Sequence, residues 1–194
     1  MSKIKVRILV TGFLIGAAIC YGADFRGSNW GDSLDQVRAV EGPAEIAYTI
    51  YGLPMLGYTV TLGAYNTEAV FYFTAENELA VGKYFAYETG IDVFNAWRGT
   101  LVDKYGSATN RDTLYTTNEY ILEKNYYGAA PRELENGVEY GYFTLCVSWQ
   151  TDTTIINLEL EKFEGDVNTI LGYISKELAI KFLKEQSEGG KAGF

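Results

Sequence analysis

The acidic side chains that could do chemistry together concentrate late in the chain, at Glu159, Glu161, Glu164 and Asp166. Two carboxylates about 5 to 9 Å apart form the acid–base machinery of glycosidases. Glu159 and Glu161, however, alternate with apolar residues, so we expect them in a solvated row on the outer face of a strand. The chain also lacks the D-x-[DN]-x-[DN]-G calcium loop. An enzyme that uses carboxylates is therefore the third-ranked hypothesis, and no metal is expected.

The chain has no histidine, and this removes most other catalytic chemistry. Ser-His-Asp and Cys-His nucleophile systems are excluded, as are zinc sites that need imidazole. A cysteine nucleophile needs a base or a positive group beside it, so Cys146 is interpreted as a small, partly buried residue. Neither glycine-rich nucleotide pattern, G-x-x-x-x-G-K-[ST] or G-x-G-x-x-G, occurs. We therefore predict a non-catalytic protein without a cofactor.

Aromatic residues are the remaining candidates for a binding site, since the chain contains 16 tyrosines. One group could stack on sugars or line a pocket, or could stabilise a sheet through cross-strand pairs; it comprises tyrosines 48, 51, 58, 65, 72, 84 and 87. The alternation of these residues along strands favours the stabilising role. The candidate binding surface consists of Trp30, Tyr65, Tyr126 and Tyr127. Tyr126 and Tyr127 begin a loop signal, and loops on a rigid scaffold often carry binding residues.

The first 23 residues have the pattern of a secretory signal peptide. Lys3, Lys5 and Arg7 precede an apolar run from residue 8 to 20, and small residues follow. The apolar run is shorter than the ~20 residues of a membrane-spanning helix, so no transmembrane segment is expected after removal of residues 1–23. Cys20 suggests a lipid anchor as the alternative, although the large Ile19 before it makes a poor lipoprotein signal.

The charge balance bears on location and partners. The net charge is −9, and removal of residues 1–23 takes away three basic and no acidic residues, so the remainder is still more acidic. An acidic surface repels nucleic acid and anionic membranes, so neither is an expected partner.

The only cysteine beyond residue 23 is Cys146, so the fold cannot use an internal disulfide. The signal-peptide pattern predicts that the protein is exported.

The stretch N-W-G-D-S-L-D-Q-V-R-A-V-E-G-P, residues 29–43, predicts a short, capped helix. Ser33 and Gln36 have the spacing of a capping box. Gly42 suits a helix end, and Pro43 prevents continuation. Leu34, Val37 and Val40 recur at helical spacing and predict an apolar stripe along one side of the helix. Trp30 is interpreted as a lid over the first turn, with an exposed, ligand-stacking tryptophan as the alternative.

Period-two alternation after this helix predicts an antiparallel meander. The predicted strands cover 46–50, 58–62, 69–74 and 79–87, with a break at Gly52-Leu53-Pro54 and a turn at 75–78. The third of these strands is nearly all apolar, so we expect it to be covered on both faces or to be central in the sheet.

A second helix followed by strands is predicted in the other half of the chain. Apolar residues recur at helical steps from Ile91 to Tyr105, and Gly106 ends the helix. Later strands are predicted at 143–150, 156–161 and 167–175, and a final helix at 176–185 would bury Leu178, Phe182 and Leu183. The segment 109–142 gives no clear pattern and is interpreted as a long excursion at one end of the sheet.

The predicted fold class is therefore α+β, with short helices packed on antiparallel sheet. The helix-then-meander order occurs twice, which suggests a duplicated α-β-β-β unit, built either as two packed modules or as one continuous sheet. The predicted organisation is a signal peptide at 1–23, a first unit at 24–89, a second at 90–186 and a flexible tail at 187–194.

Gly31, Ser33, Gln36 and Val37, closing at Gly42-Pro43, resemble the opening helix of the SmpA/OmlA family of small bacterial envelope lipoproteins. Those domains, and the tandem β-lactamase inhibitory proteins of similar architecture, pair short helices with an antiparallel sheet. The resemblance covers about 13 residues, and the chain is about twice the length of a single module. It implies a non-catalytic envelope protein that binds another protein, and it assigns no binding residue.

Two binding functions are therefore predicted ahead of catalysis. The first is interaction with another envelope protein, or structural support. The alternative is binding of a small ligand or glycan by a tyrosine-rich sheet face. A protein binder should expose an aromatic or apolar patch, whereas a ligand binder should contain a cavity with a few inward polar groups.

Overall fold

A computed structural model describes residues 24–87, 89–115, 136–141, 143–163 and 165–191. The predicted signal peptide, residues 1–23, lies outside this part. The first half contains α1 (Leu34–Glu41), β1 (Ile46–Ile50), β2 (Leu53–Leu62), β3 (Tyr65–Phe73) and β4 (Leu79–Ala86). The second half contains α2 (Gly90–Tyr105), β5 (Asn110–Tyr115), β6 (Thr144–Gln150), β7 (Thr154–Phe163), β8 (Asp166–Ser175) and α3 (Ala179–Lys191). No helix among the described residues is long and apolar enough to cross a membrane.

All the described strands form one eight-stranded sheet in the order β1-β2-β3-β4-β8-β7-β6-β5. Every neighbouring pair is antiparallel, so the predicted α+β class with antiparallel sheet is confirmed. In the described residues each half has a helix followed by four strands; four strands were predicted in the first half, whereas in the second half β5 is one strand more than predicted. The last strands of the two halves, β4 and β8, pair in the middle, with Val81 opposite Ile174. The strands therefore form one continuous sheet, which was one of the two predicted arrangements.

The first helix has the capping box that the sequence predicts. The side chain of Ser33 accepts a hydrogen bond from the backbone N–H of Gln36, and the Gln36 side chain accepts from the N–H of Ser33 at 2.8 Å. Gly42 ends the helix at φ 93°. Val37 is fully buried, but Val40 is 54% exposed, so the predicted apolar stripe is shorter than expected and Val37 is the residue that anchors this short helix.

The first hairpin differs from the prediction at its turn. The chain reverses at Tyr51-Gly52, where both residues have positive φ, 53° and 81°, as a two-residue type I′ turn requires. β2 therefore starts at Leu53, and Pro54 lies within the strand opposite Thr49, where the sequence predicted a break. A proline is tolerated there because it lies near the start of the strand.

The second helix follows the predicted face. Ile91, Phe94, Trp97 and Leu101 are buried, and the helix ends at Gly106, whose φ is 78°. The carbonyl of Gly106 accepts a 3.0 Å hydrogen bond from the indole N–H of the buried Trp149 on β6. The helix C-terminus is thereby joined to the sheet.

The C-terminal helix is longer than predicted. It runs through residues 187–191, which the sequence analysis assigned to a flexible tail, and it ends at Lys191; residues 192–194 lie outside the described part. A Cβ on Gly189 would overlap the carbonyl group of Tyr51, so the glycines permit the helix to approach the β1–β2 turn closely. Phe182 is buried as predicted, but Leu183 is 60% exposed, because the helix touches the sheet with a narrow face only.

The sheet has two different faces, defined here by strand alternation and register. The core face packs against α1, α2 and Phe25 and carries the large buried side chains. The second face is covered at one end by α3, where Phe182 contacts a small cluster containing Leu53 and Val81. The predicted double cover of the 69–74 strand is therefore seen in β3, where Phe71 faces the core and Tyr72 packs on Phe182.

Candidate functional site

The middle of the second face holds a small cavity of about 130 Å³, lined by Phe85, Tyr87, Glu161, Asn168 and Ile170. The antiparallel register brings these residues together from distant parts of the chain, because Phe85 on β4 lies opposite Ile170 on β8. The same transverse row continues to Glu68 on β3 and to Glu159 on β7.

Two aromatic rings form one wall of this cavity. Phe85 and Tyr87 are stacked, with ring centroids 6.1 Å apart and planes 10° from parallel. The Tyr87 hydroxyl donates a 2.9 Å hydrogen bond to Oε2 of Glu68. Desolvation, followed by this hydrogen bond, raises the pKa of Tyr87 above its ordinary value, so the hydroxyl stays a protonated donor. Tyr87 is still 54% exposed, so its ring is accessible to a binding partner.

Carboxylates lie on both sides of the stacked rings. Glu159 and Glu161 on β7 were expected in a solvated row, but both are half-buried. Side chains of the neighbouring strands lie beside them, since Glu159 is opposite Ile170 and Glu161 is opposite Asn168 on β8. Burial, followed by the negative charge of Glu159, raises the pKa of Glu161, and Lys83 opposes this shift. Glu164 lies outside the described residues, and Asp166 is exposed at the start of β8.

A second, larger depression continues from Tyr87 towards the edge strand β1. Its volume is about 310 Å³, and its lining includes Glu45, Ile46, Thr59 and Glu68. The Thr59 hydroxyl donates a 2.6 Å hydrogen bond to Glu45. We name the combined depression the acidic-aromatic groove, defined by Glu45, Glu68, Phe85, Tyr87 and Glu161.

The groove has the chemistry of a cation-binding surface. Aromatic faces attract ammonium and guanidinium groups, and carboxylates accept charge-assisted hydrogen bonds from them. The Lys83 ammonium lies 6.0 Å from the Phe85 ring centroid, so this ring already has a cation of the chain itself beside it. Among the residues described, no group of three or more Cys, Asp or Glu side chains is placed to hold a metal ion.

Cys146 lies on the second face but is sealed from solvent, with 2% of its surface exposed. Burial, followed by the charge of Glu159, raises the pKa of its thiol to about 11, while a contact with Ser148 acts in the opposite direction. A protonated thiol is a poor nucleophile. The sequence analysis expected a partly buried, unreactive residue, and the structure buries it more completely.

The structure separates the predicted binding residues that it describes. Trp30 is half-buried and packs against the core, and its indole N–H donates a 2.9 Å hydrogen bond to Thr154. Tyr65 is also half-buried on the core face, at the first residue of β3. Trp30 lies near the other end of β3, because the adjacent Gly31 donates its N–H to the carbonyl of Leu79, which is opposite the last residue of β3, Phe73. Tyr126 and Tyr127 lie outside the described residues. Neither Trp30 nor Tyr65 contributes to the groove.

The tyrosines that are close in sequence are also divided between the faces. Tyr58, Tyr65 and Tyr84 pack against the core, whereas Tyr48 and Tyr72 lie on the second face. Strand alternation accounts for this division. Sequence reasoning missed Glu68 and Phe85. The signal that could have found them is a charged or aromatic side chain at alternate positions along the chain, which an assessment of the strands by apolar content alone overlooks.

No family model matches the chain, and no curated protein or solved structure is similar enough to count as a match. The resemblance of residues 31–43 to the SmpA/OmlA family therefore stays a prediction.

Proposed function

We propose that this chain is an exported protein of the bacterial envelope that binds another protein through the acidic-aromatic groove. The observation that carries the proposal is the stacked Phe85–Tyr87 pair flanked by Glu68 and Glu161. The partner recognised by this chemistry presents a basic side chain, arginine or lysine, on its surface.

The carboxylates specify the charge of the partner. Glu68 is held by the Tyr87 hydroxyl, so one of its oxygens is fixed next to the ring face. Glu161 lies on the other side of the cavity in a partly desolvated position. A guanidinium placed over Tyr87 would lie between the two carboxylates, and its positive charge would offset the desolvation of Glu161.

The size of the cavity favours a side chain over a free small molecule. Pockets that enclose drug-sized ligands have volumes of roughly 300 to 1,000 Å³, whereas the cavity at Phe85 has about 130 Å³. The larger depression beside it is open to solvent and would not enclose a ligand. A protein surface that inserts one side chain and lies along the groove fits these dimensions best.

Export, location and internal duplication belong to the same proposal. Residues 1–23 support export, with a lipid anchor at Cys20 as the alternative. The repeated order of one helix and four antiparallel strands, with the last strands paired centrally, supports duplication of an ancestral unit. The resemblance to SmpA/OmlA domains and to β-lactamase inhibitory proteins gives the same expectation of protein binding.

Nuclear magnetic resonance titration tests the groove directly. The probes are the blocked tripeptide Ala-Arg-Ala, the same peptide with glutamine in place of arginine, and the neutral sugar maltotriose. A single side-chain contact corresponds to a dissociation constant of about 1 to 10 mM. We expect the arginine peptide to shift the backbone resonances of Phe85 and Tyr87, and the glutamine peptide to leave them unchanged.

Matched variants separate groove binding from general charge attraction. Glu161→Gln should weaken arginine binding severalfold, whereas Glu177→Gln, an exposed residue after β8, should not change it. Shifts caused by maltotriose instead would transfer the function to the glycan-binding alternative. The absence of any shift at Phe85 and Tyr87 with the arginine peptide would contradict the proposal.

A further inference from the structure

The edge strand β1 is unusually unprotected. Among the described strands it lies at the end of the sheet and pairs with β2 alone. Four of its five residues are exposed, including Ile46 and Tyr48 at 38% and 50%. Natural edge strands are commonly protected by charged residues, proline or a bulge. The sequence of β1, I-A-Y-T-I, contains neither a charge nor a proline. Directly before it, the N–H of the charged Glu45 bonds to the carbonyl of Gly57, the residue opposite Ile46, so the charge and the irregular pairing at this end lie outside the five residues.

The backbone groups that β1 offers to its open side can be assigned from the hairpin. In a two-residue type I′ hairpin, the pair that flanks the turn is hydrogen-bonded, and here that pair is Ile50 and Leu53. Hydrogen-bonded positions alternate along an antiparallel ladder, so Ile50, Tyr48 and Ile46 bond to β2. The N–H and C=O groups of Ala47 and Thr49 therefore point away from β2, to the open edge.

We infer that this edge pairs with β1 of a second copy of the chain, antiparallel and with Tyr48 on the two-fold axis. In that register Ala47 of each copy lies opposite Thr49 of the other. Both pairs then exchange their outward N–H and C=O groups, which is the hydrogen-bonded arrangement of an antiparallel ladder. Tyr48 lies opposite Tyr48, and Ile46 opposite Ile50, at positions where side chains approach closely.

The symmetry of the strand selects a second copy as the occupant. A two-fold interface must be self-complementary, so each residue must suit the one that the axis places opposite it. The order Ile, small residue, Tyr, small residue, Ile is the same in both directions. The outward backbone groups are placed symmetrically about the same central residue. Although the whole chain has a net charge of −9, β1 itself contains no charged residue. Like charges therefore do not lie opposite one another when two copies of β1 pair.

The size of the contact sets its expected strength. One pair of five-residue strands is smaller than a standard stable interface, so we expect association in the range of about 10 µM to 1 mM. Sedimentation velocity of the purified protein across this range should show a concentration-dependent increase from monomer to dimer. A monomer at all these concentrations would overturn the inference.

A charge-pair experiment tests whether Tyr48 lies on the axis. Tyr48→Lys and Tyr48→Glu should each abolish the dimer, because like charges then lie directly opposite one another. A one-to-one mixture of the two variants should restore dimers, since each lysine then faces a glutamate. Val102→Lys, at an exposed position on α2, is the control and should dimerise like the unchanged protein. Dimers in Tyr48→Lys alone would overturn the inference.

Disulfide trapping tests the register independently, in protein carrying Cys20→Ser. Tyr48→Cys should form a linked dimer under mild oxidation, because opposed residues at a position without hydrogen bonds have Cα atoms about 4.5 Å apart, within the reach of a disulfide. Thr49→Cys faces Ala47 of the second copy and should not link. Efficient linking of Thr49→Cys, or of neither variant when circular dichroism shows both to be folded, would contradict the register. These measurements report self-association and are independent of arginine binding in the groove.

Discussion

The two faces of the sheet are built from the same strands, yet they differ in what their side chains do. On the core face, Phe71, Leu158 and Trp149 are sealed from solvent and contact α1, α2 or one another. On the second face, the same strands place Glu68, Phe85 and Glu161 around a partly open cavity. Strand alternation thus separates the residues that hold the fold from those that line the partly open cavity.

Removal of one large side chain from each face should produce the greatest difference between them. Trp149→Ala deletes a buried ring and its hydrogen bond to Gly106, so we expect a loss of about 3 to 5 kcal/mol in the free energy of unfolding. Phe85→Ala removes a half-buried ring that stacks on Tyr87 and should cost less than about 1.5 kcal/mol. Urea unfolding followed by circular dichroism measures both, and equal losses would contradict the comparison.

Addition of one methyl group to each face gives the next largest contrast. A Cβ on Gly82 would overlap the ring of Phe25 on the core face, whereas a Cβ on Gly172 meets no atom closer than 3.9 Å. Gly82→Ala should therefore destabilise the protein by about 1 to 3 kcal/mol. Gly172→Ala should stay within about 0.5 kcal/mol of the unchanged protein. Thermal unfolding of the two variants decides the matter, and a stable Gly82→Ala protein would show that Phe25 can move aside.

Neutralisation of Glu161 should stabilise the protein, in contrast to either core substitution. The pKa of Glu161 is raised in the folded state, so its ionised form is less favourable there than in the unfolded chain. Glu161→Gln should therefore raise the melting temperature at pH 7. The advantage should shrink as the pH falls through the raised pKa and vanish below the ordinary value of 4.5, where the unchanged side chain is protonated in both states.

Glu177→Gln is the matched control for this pH series, because Glu177 is exposed, and its melting curve should follow that of the unchanged protein. A Glu161→Gln protein with a lower melting temperature at pH 7 would mean that the carboxylate makes a favourable contact that outweighs its desolvation.

The smallest expected effect concerns the helix that covers one end of the second face. Lys181 on α3 forms ion pairs with Glu76 and Glu78 in the β3–β4 turn, at 2.5 and 2.6 Å. Exposed pairs contribute little to global stability, so Lys181→Gln should leave the unfolding curve almost unchanged. It should nevertheless speed hydrogen exchange at the Ala75 amide, which donates to Glu185 on the same helix.

The pH dependence of this exchange follows from Glu78. The hydrogen bond from Lys181 lowers the pKa of Glu78 below its ordinary 4.5. Its contribution is therefore present above the unfolded pKa and is lost as the pH falls through the lowered folded pKa. Below that point the unchanged protein and Lys181→Gln should exchange alike, and a difference that persists there would assign the effect to a contact other than the ion pair.

Local signals made the helices and most strands predictable. The capping box of Ser33 and Gln36, and the helical spacing from Ile91 to Leu101, are written in a few adjacent residues. The groove could not be predicted, because Glu68, Phe85 and Glu161 come together only through the pairing of β3, β4, β8 and β7. The extension of α3 was missed for a similar reason, since its glycines are explained by contact with the distant Tyr51.

The central pairing of β4 with β8 also determines the order in which the sheet can be completed. Val81 finds its neighbour Ile174 only when nearly the whole chain has been synthesised. Until then the first half ends in an unpaired β4 as well as an unpaired β1, and contacts between residues so far apart in sequence form slowly. A chain cut short before residue 166 would therefore leave β4 and β7, which both normally pair with β8, with open edges inside what should be the sheet, and would be prone to aggregation.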